Sequence, residues 1–238
     1  MESIKELRKI CQPPELGKEF LYTRVMRKVS IYVTKLFLIM GIAPNTATVI
    51  QLIFMASSFF PFLVSGSWWN IVVSAILLNV AYVFDHVDGE LARYHGPTYY
   101  GRLLDIAGHD MYYFVHIFIG LGLFLRGGSL ILLLLGISAS VFMMMLRLHE
   151  LRAEHMALRR EKKSGRVAKF AYDITLANMF LPVLYVLGVL DLLQYFMYFY
   201  GVYIPLFWIF WMIRKRQGKK DRKVKEETST WKNIRNNI

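Results

Sequence analysis

Apolar residues in this chain fall in six long blocks separated by short polar or charged stretches. Each block is about 20 residues, the length at which a helix crosses a hydrocarbon core of about 30 Å. The pattern predicts crossings at about 46–64, 68–93, 101–125, 129–146, 170–189 and 192–213. Pro61, Pro182 and Pro205 fall inside these blocks, as prolines in membrane helices often do, and Pro61 is expected to kink the first. Ahead of them, residues 22–40 alternate Val25, Ile31, Tyr32, Leu36 and Phe37 with Arg24, Arg27, Lys28 and Lys35. That pattern fits a helix lying in the membrane interface. Ile42, Ala43, Pro44 and Asn45 end it, with Asn45 or Thr46 available to cap the first crossing. The fold class expected is all-α: a polytopic membrane protein with six transmembrane helices and an N-terminal interfacial amphipathic helix. Residues 1–45 form the N-terminal segment, 46–213 the membrane domain and 214–238 a basic tail.

Composition agrees with the pattern, at 55% hydrophobic and 15% aromatic. Charge adds orientation. The formal net charge is +12, and 28 of the 29 lysines and arginines lie in alternate loops, leaving Arg126 alone on the other side. This is the positive-inside pattern, so both termini and the loops following the second and fourth crossings are expected in the cytoplasm. In a bacterium the membrane would be the inner one. A basic excess so distributed reads as topology and attraction to anionic lipid, and nucleic acid is not an expected partner. The first residues contain no apolar stretch of the kind a cleaved signal peptide needs. One cysteine, Cys11, leaves no internal disulfide to form.

The chemistry concentrates at residues 82–113. Asp85, Asp88 and Asp105, with Glu90, His109 and Asp110, stand at the ends of two apolar blocks, where carboxylates are costly and usually functional. Asp85 and Asp88 lie about 60° apart around a helix, and Asp105 and His109 about 40° apart, so each pair shares a face. Two facing helices carrying such pairs form a cup of oxygens suited to Mg²⁺ or Mn²⁺. Asp110 falls about 140° round from Asp105 and is not expected in the cup. Gly89, Ala92, Gly101 and Gly108 permit close approach on the same stretch. Glu90 is expected to pack or pair with a basic group, and His86 and His116 to make helix–helix hydrogen bonds. The aromatic last block is expected to form a lipid-facing belt.

The run Asp85-x2-Asp88-Gly89-x2-Ala92-Arg93-x7-Gly101-x3-Asp105-x3-His109 resembles the CDP-alcohol phosphotransferase (phosphatidyltransferase) signature, D-x2-D-G-x2-A-R-x8-G-x3-D-x3-D. Seven of its eight fixed positions match; the loop after Arg93 is one residue shorter, and His109 stands at the fourth aspartate. Pro44-Asn45-x2-Thr48 is similar to the family's motif at the start of the first crossing. The resemblance implies an integral-membrane transferase. It would move a phosphatidyl or other substituted phosphate group from a CDP-alcohol to an alcohol, releasing CMP, in phospholipid biosynthesis. For a chain of this size CDP-diacylglycerol is the expected donor. Asp85, Asp88, Asp105 and His109 would hold the metal, in all two ions, with Asp105 and His109 catalytic. Asn45, Thr48, Asp88, Gly89, Ala92, Arg93 and Gly101 would surround the nucleotide, Arg93 at the phosphates or paired with a motif carboxylate. Arg147, Arg152, Arg166 and Asp173 would meet a small alcohol acceptor. The family also implies a homodimer. Imidazole is a competent general base but a poor Mg²⁺ ligand, so the alternative is a catalytically degenerate member, or a non-enzymatic membrane protein, that keeps a nucleotide or metal pocket.

Overall fold

The computed structural model describes residues 2–13, 21–64, 67–157 and 177–213, and among these every regular element is a helix. In chain order they are α1 Ile4–Cys11, α2 Leu21–Ile39, α3 Pro44–Val64, α4 Trp68–His95, α5 Tyr99–Leu125, α6 Leu130–Ala157, α7 Ala177–Val189 and α8 Leu193–Ile213. Four helical stretches are long and apolar enough to cross a membrane: Pro44–Val64, Trp68–His95, Leu130–His149 and Leu193–Ile213. Of the six expected crossings, α5 has the length, but Asp105, His109, Asp110 and His116 dilute its apolar character. The beginning of the fifth, with Arg166 and Asp173, lies outside the described residues, as does the tail.

Local sequence accounts for the boundaries. Ser3 and Glu6 form a reciprocal capping box on α1, with Ser3 N donating to Glu6 Oε2 at 2.7 Å. At the start of α3 the Ala43 carbonyl oxygen accepts from Thr46 N and Ala47 N, so Ala43 is the cap and Pro44 takes the first helical position. Neither Asn45 nor Thr46 serves as the cap. Asn45 is left to the site below. Thr98 caps α5 by accepting from Gly101 N at 2.9 Å, which starts that helix at Tyr99. Pro61 sits within α3, which runs on to Val64.

The helices pack in two different ways at the two ends. Between α5 and α6 the backbones nearly touch. A Cβ at Gly136 would stand 2.4 Å from the His116 carbonyl oxygen, and one at Gly120 2.7 Å from that of Leu132. The end away from the acids is closed by Arg126, which pairs with Asp191, and by Trp68 Nε1 donating to the Val189 carbonyl at 2.7 Å. The aromatic run of α8 is not a lipid-facing belt throughout. Phe196 and Tyr200 are buried, and Tyr200 stacks on His116 of α5 at 4.9 Å, while Tyr195 and Phe199 are exposed.

At the acid end the fastenings are polar. α2 turns Thr23, Ser30 and Thr34 inward and leaves Val25, Val29, Tyr32 and Leu36 as an exposed apolar stripe. Ser30 and Thr34 both donate to Glu90 of α4 at 2.6 Å. Of the two expectations for Glu90, packing holds: it is buried, and its hydrogen-bond donors among the described residues are neutral. α1 packs on both α2 and α4, with Leu7, Cys11 and Ile31 forming a small apolar cluster. Burial pushes the Cys11 thiol up to about 11.

The glycine contact is testable. Gly136→Ala is expected to cost about 1–3 kcal/mol, because an added methyl must push two backbones apart. It is read as a lowered melting temperature in detergent beside Ile137→Ala, whose side chain is 39% exposed and whose loss should change stability by less than about 0.5 kcal/mol.

Candidate active site

Asp85 and Asp88 on α4 and Asp105 on α5 line one open cavity of about 370 Å³, with Pro44, Asn45 and Thr48 from the start of α3. Gly89, Ala92, Arg93 and Gly101 also line it. All seven residues that the resemblance assigns to the nucleotide therefore border the same space. Asp85, Asp105 and His109 each offer one ligand atom such that all three atoms lie within 4.8 Å of one another. Asp88 borders the cavity outside that group, and Asp110 is not in it.

Each side chain is positioned by the helix it rides on. Gln51 of α3 donates from Nε2 to Asp85 Oδ1 at 2.8 Å and is fully buried. Gly108 makes room for it, since a Cβ there would meet Gln51 Nε2 at 3.0 Å. Gly101 does similar service for Asn45, whose Oδ1 would stand 2.7 Å from an added Cβ and accepts from Thr98 Oγ1 at 3.4 Å. His109 is tied back to its own helix, its Nδ1 lying 3.0 Å from the Asp105 carbonyl oxygen and 3.4 Å from Asp105 Oδ1. With the proton on Nδ1, that contact leaves Nε2 with its lone pair. The side chains of His109 and Asp105 are 45% and 49% exposed, so a substrate can reach them.

Donor chemistry in this group suits a hard divalent cation, with carboxylate oxygens outnumbering the single imidazole. A second observation agrees. Asp88 Oδ2 is buried with no hydrogen-bond donor among the described residues, on a side chain that is 6% exposed. An electron-rich oxygen left bare at such a depth is costly unless a cation meets it.

Several lining residues escape a motif-based reading. Arg27 on α2 and Arg102 on α5 border the cavity, so with Arg93 three cationic side chains face the same space as three carboxylates. His86 borders it as well. Its ring stands edge-on to Tyr82 at 4.6 Å, and its Nε2 is buried without a hydrogen-bond partner, unlike the satisfied helix–helix histidine expected. His116 bonds within its own helix, to the Tyr113 carbonyl. Gln51 had one available signal: an amide inside the apolar part of the helix, three residues after Thr48 and so on its face. Arg147 on α6 is near enough to Asp105 to act on its charge, and its Nε is buried without a partner. The side chain of Arg152 lies outside the described residues, with Arg166 and Asp173.

A comparison with curated proteins found no match to the chain. The sequence profile of the CDP-alcohol phosphatidyltransferase family matches residues 41–213, which takes in α3, α4 and α5 and every lining residue of the cavity except Arg27. The match spans well over half the chain, and the protein belongs to the CDP-alcohol phosphatidyltransferase family.

Proposed function

We propose that this membrane transferase takes CDP-diacylglycerol as donor and passes its phosphatidyl group to a small alcohol, with His109 as general base and a divalent metal at the acid group. The observation that carries this reading is the convergence of Asp85, Asp105 and His109 within 4.8 Å at the edge of the nucleotide-sized cavity. Asp85, Asp88, Asp105 and His109 would hold the metal, in all two ions of Mg²⁺ or Mn²⁺. Bound there, the ions would supply positive charge to a diphosphate and stabilise its leaving oxygen.

The chain's own groups carry the remaining steps. Asn45, Thr48, Gly89, Ala92 and Gly101 enclose the cytidine, and Arg93 and Arg27 face the phosphates. His109 Nε2 accepts the proton of the acceptor hydroxyl as its oxygen bonds to the phosphatidyl phosphorus. The bond from that phosphorus to the CMP oxygen breaks, and CMP leaves with the electron pair. Arg147, beside Asp105, meets a negative charge on the acceptor; Arg152, Arg166 and Asp173 complete the acceptor site in this reading. The exposed apolar stripe of α2 supports an interfacial helix. In this reading the charge pattern puts both termini and the cavity in the cytoplasm, and the family resemblance implies a homodimer.

CMP release by the detergent-purified chain with CDP-diacylglycerol, Mn²⁺ and a panel of alcohols tests the reading. Asp85→Asn and His109→Ala should each lower acceptor-dependent release by about 10²–10⁴-fold. His109→Asp should retain activity, since a carboxylate there can serve both as base and as metal ligand. If wild type is silent and His109→Asp is active, the degenerate reading takes its place.

Metal removal gives a separate check. Chelation should abolish CMP release and re-added Mn²⁺ should restore it. Mn²⁺ binding followed by paramagnetic resonance should fall at least tenfold in Asp85→Asn. Full activity in chelator would exclude the metal.

A further inference from the structure

The C-terminal turn of α1 touches α2 and α4 through groups that the chemistry above does not use. The Cys11 carbonyl oxygen accepts from Arg93 Nε at 2.5 Å. Gln12 Nε2 donates twice, to Glu90 Oε1 at 2.6 Å and to the Arg27 carbonyl oxygen at 2.7 Å. Tyr94 adds a bond to Glu2 Oε1 at 2.7 Å. Thus one short helix contacts the side chain of one cavity arginine and the backbone of another, Arg27 and Arg93 being both on the cavity wall.

The arrangement has physical logic. The Cys11 carbonyl is one of the last carbonyls of α1, which have no partner within the helix and carry its partial negative charge. A guanidinium is a fitting partner. Arg93 lies back over Gly89, where an added Cβ would stand 3.3 Å from Nη1 and 3.5 Å from Nη2. Among the described residues Nε is the one Arg93 atom in a hydrogen bond, so both Nη groups remain as a two-donor edge. Such an edge matches a pair of phosphate oxygens, and fixing it beforehand removes rotamer freedom that binding would otherwise have to remove. Glu90 anchors the clip. It is 1% exposed, and its carboxylate collects Gln12 from α1 with Ser30 and Thr34 from α2.

We infer that α1 is a clip that positions the Arg93 guanidinium for a diphosphate, with Gln12 and Glu90 as its positioning residues. The inference rests on reading the cavity as the nucleoside-diphosphate site.

The experiment measures CDP binding in the presence of Mn²⁺ by calorimetry on the full detergent-purified chain. Gln12→Ala and Glu90→Ala should each weaken CDP about tenfold. Glu90→Gln, whose Oε1 can still accept from Gln12 and Ser30 while its amide nitrogen donates to Thr34 Oγ1, should stay within about threefold. In an Arg93→Ala background, Gln12→Ala should add no further loss, since the two changes remove the same interaction. Cys11 gives a second readout. It is the sole cysteine and 0% exposed, so alkylation by N-ethylmaleimide reports release of α1. Bound CDP should slow that reaction, by reciprocity of coupling, and Gln12→Ala should speed it about tenfold. Wild-type affinity in Gln12→Ala, an equal loss in the Arg93→Ala background, or alkylation indifferent to CDP would each overturn the clip alone. A wild type that does not bind CDP would overturn the cavity reading and the clip together.

Discussion

A carboxylate set among apolar helices must be met by hydrogen-bond donors, and in this chain the donors come from different helices. Gln51 of α3 meets Asp85 of α4, and α1 and α2 together meet Glu90 of α4. Leaving one such group bare costs about 1–3 kcal/mol, more where it is charged. The helices at this end are therefore fixed by direction as well as by contact. Among the described residues the other end closes by glycine contacts, the Trp68–Val189 hydrogen bond and an exposed ion pair, the last worth little by itself. The cavity lies at the end where geometry is most tightly specified.

Much of this was legible along the chain because it is periodic or local. Apolar blocks located α3, α4, α6 and α8, and the 3.6-residue turn put Asp85 with Asp88 and Asp105 with His109. The same periodicity kept Asp110 out of the metal group. What escaped depends on partners distant in sequence. Gln12 and Glu90 are 78 residues apart, and Cys11 and Arg93 are 82 apart, with no spacing rule to join them. α2 was legible only in part. Its pattern suggested an interfacial helix but not which residues face the bundle, where the hydroxyls of Ser30 and Thr34 meet Glu90. The aromatic helix α8 was misjudged, since tyrosine can stack inside a bundle as readily as it can stand at an interface.

The cavity holds both signs of charge, and that balance has chemical meaning. Asp85, Asp88 and Asp105 face Arg27, Arg93 and Arg102 across one open space. Acids alone would attract cations and repel a diphosphate; arginines alone would hold the diphosphate too indifferently to orient it. With both present, an anion and its counter-cations can be held together and in register. His109 in the fourth position puts an imidazole beside Asp105 at the edge of that space.

The length of α6 has a consequence for what the cavity faces. Its 28 residues make a rod of about 42 Å, roughly 12 Å more than a hydrocarbon core. The apolar run ends at Leu146, so the surplus stands at the acid end, close by Asp105 through Arg147. The last turns of α6 thus continue as helix beyond its apolar run, at the end of the bundle that holds the cavity.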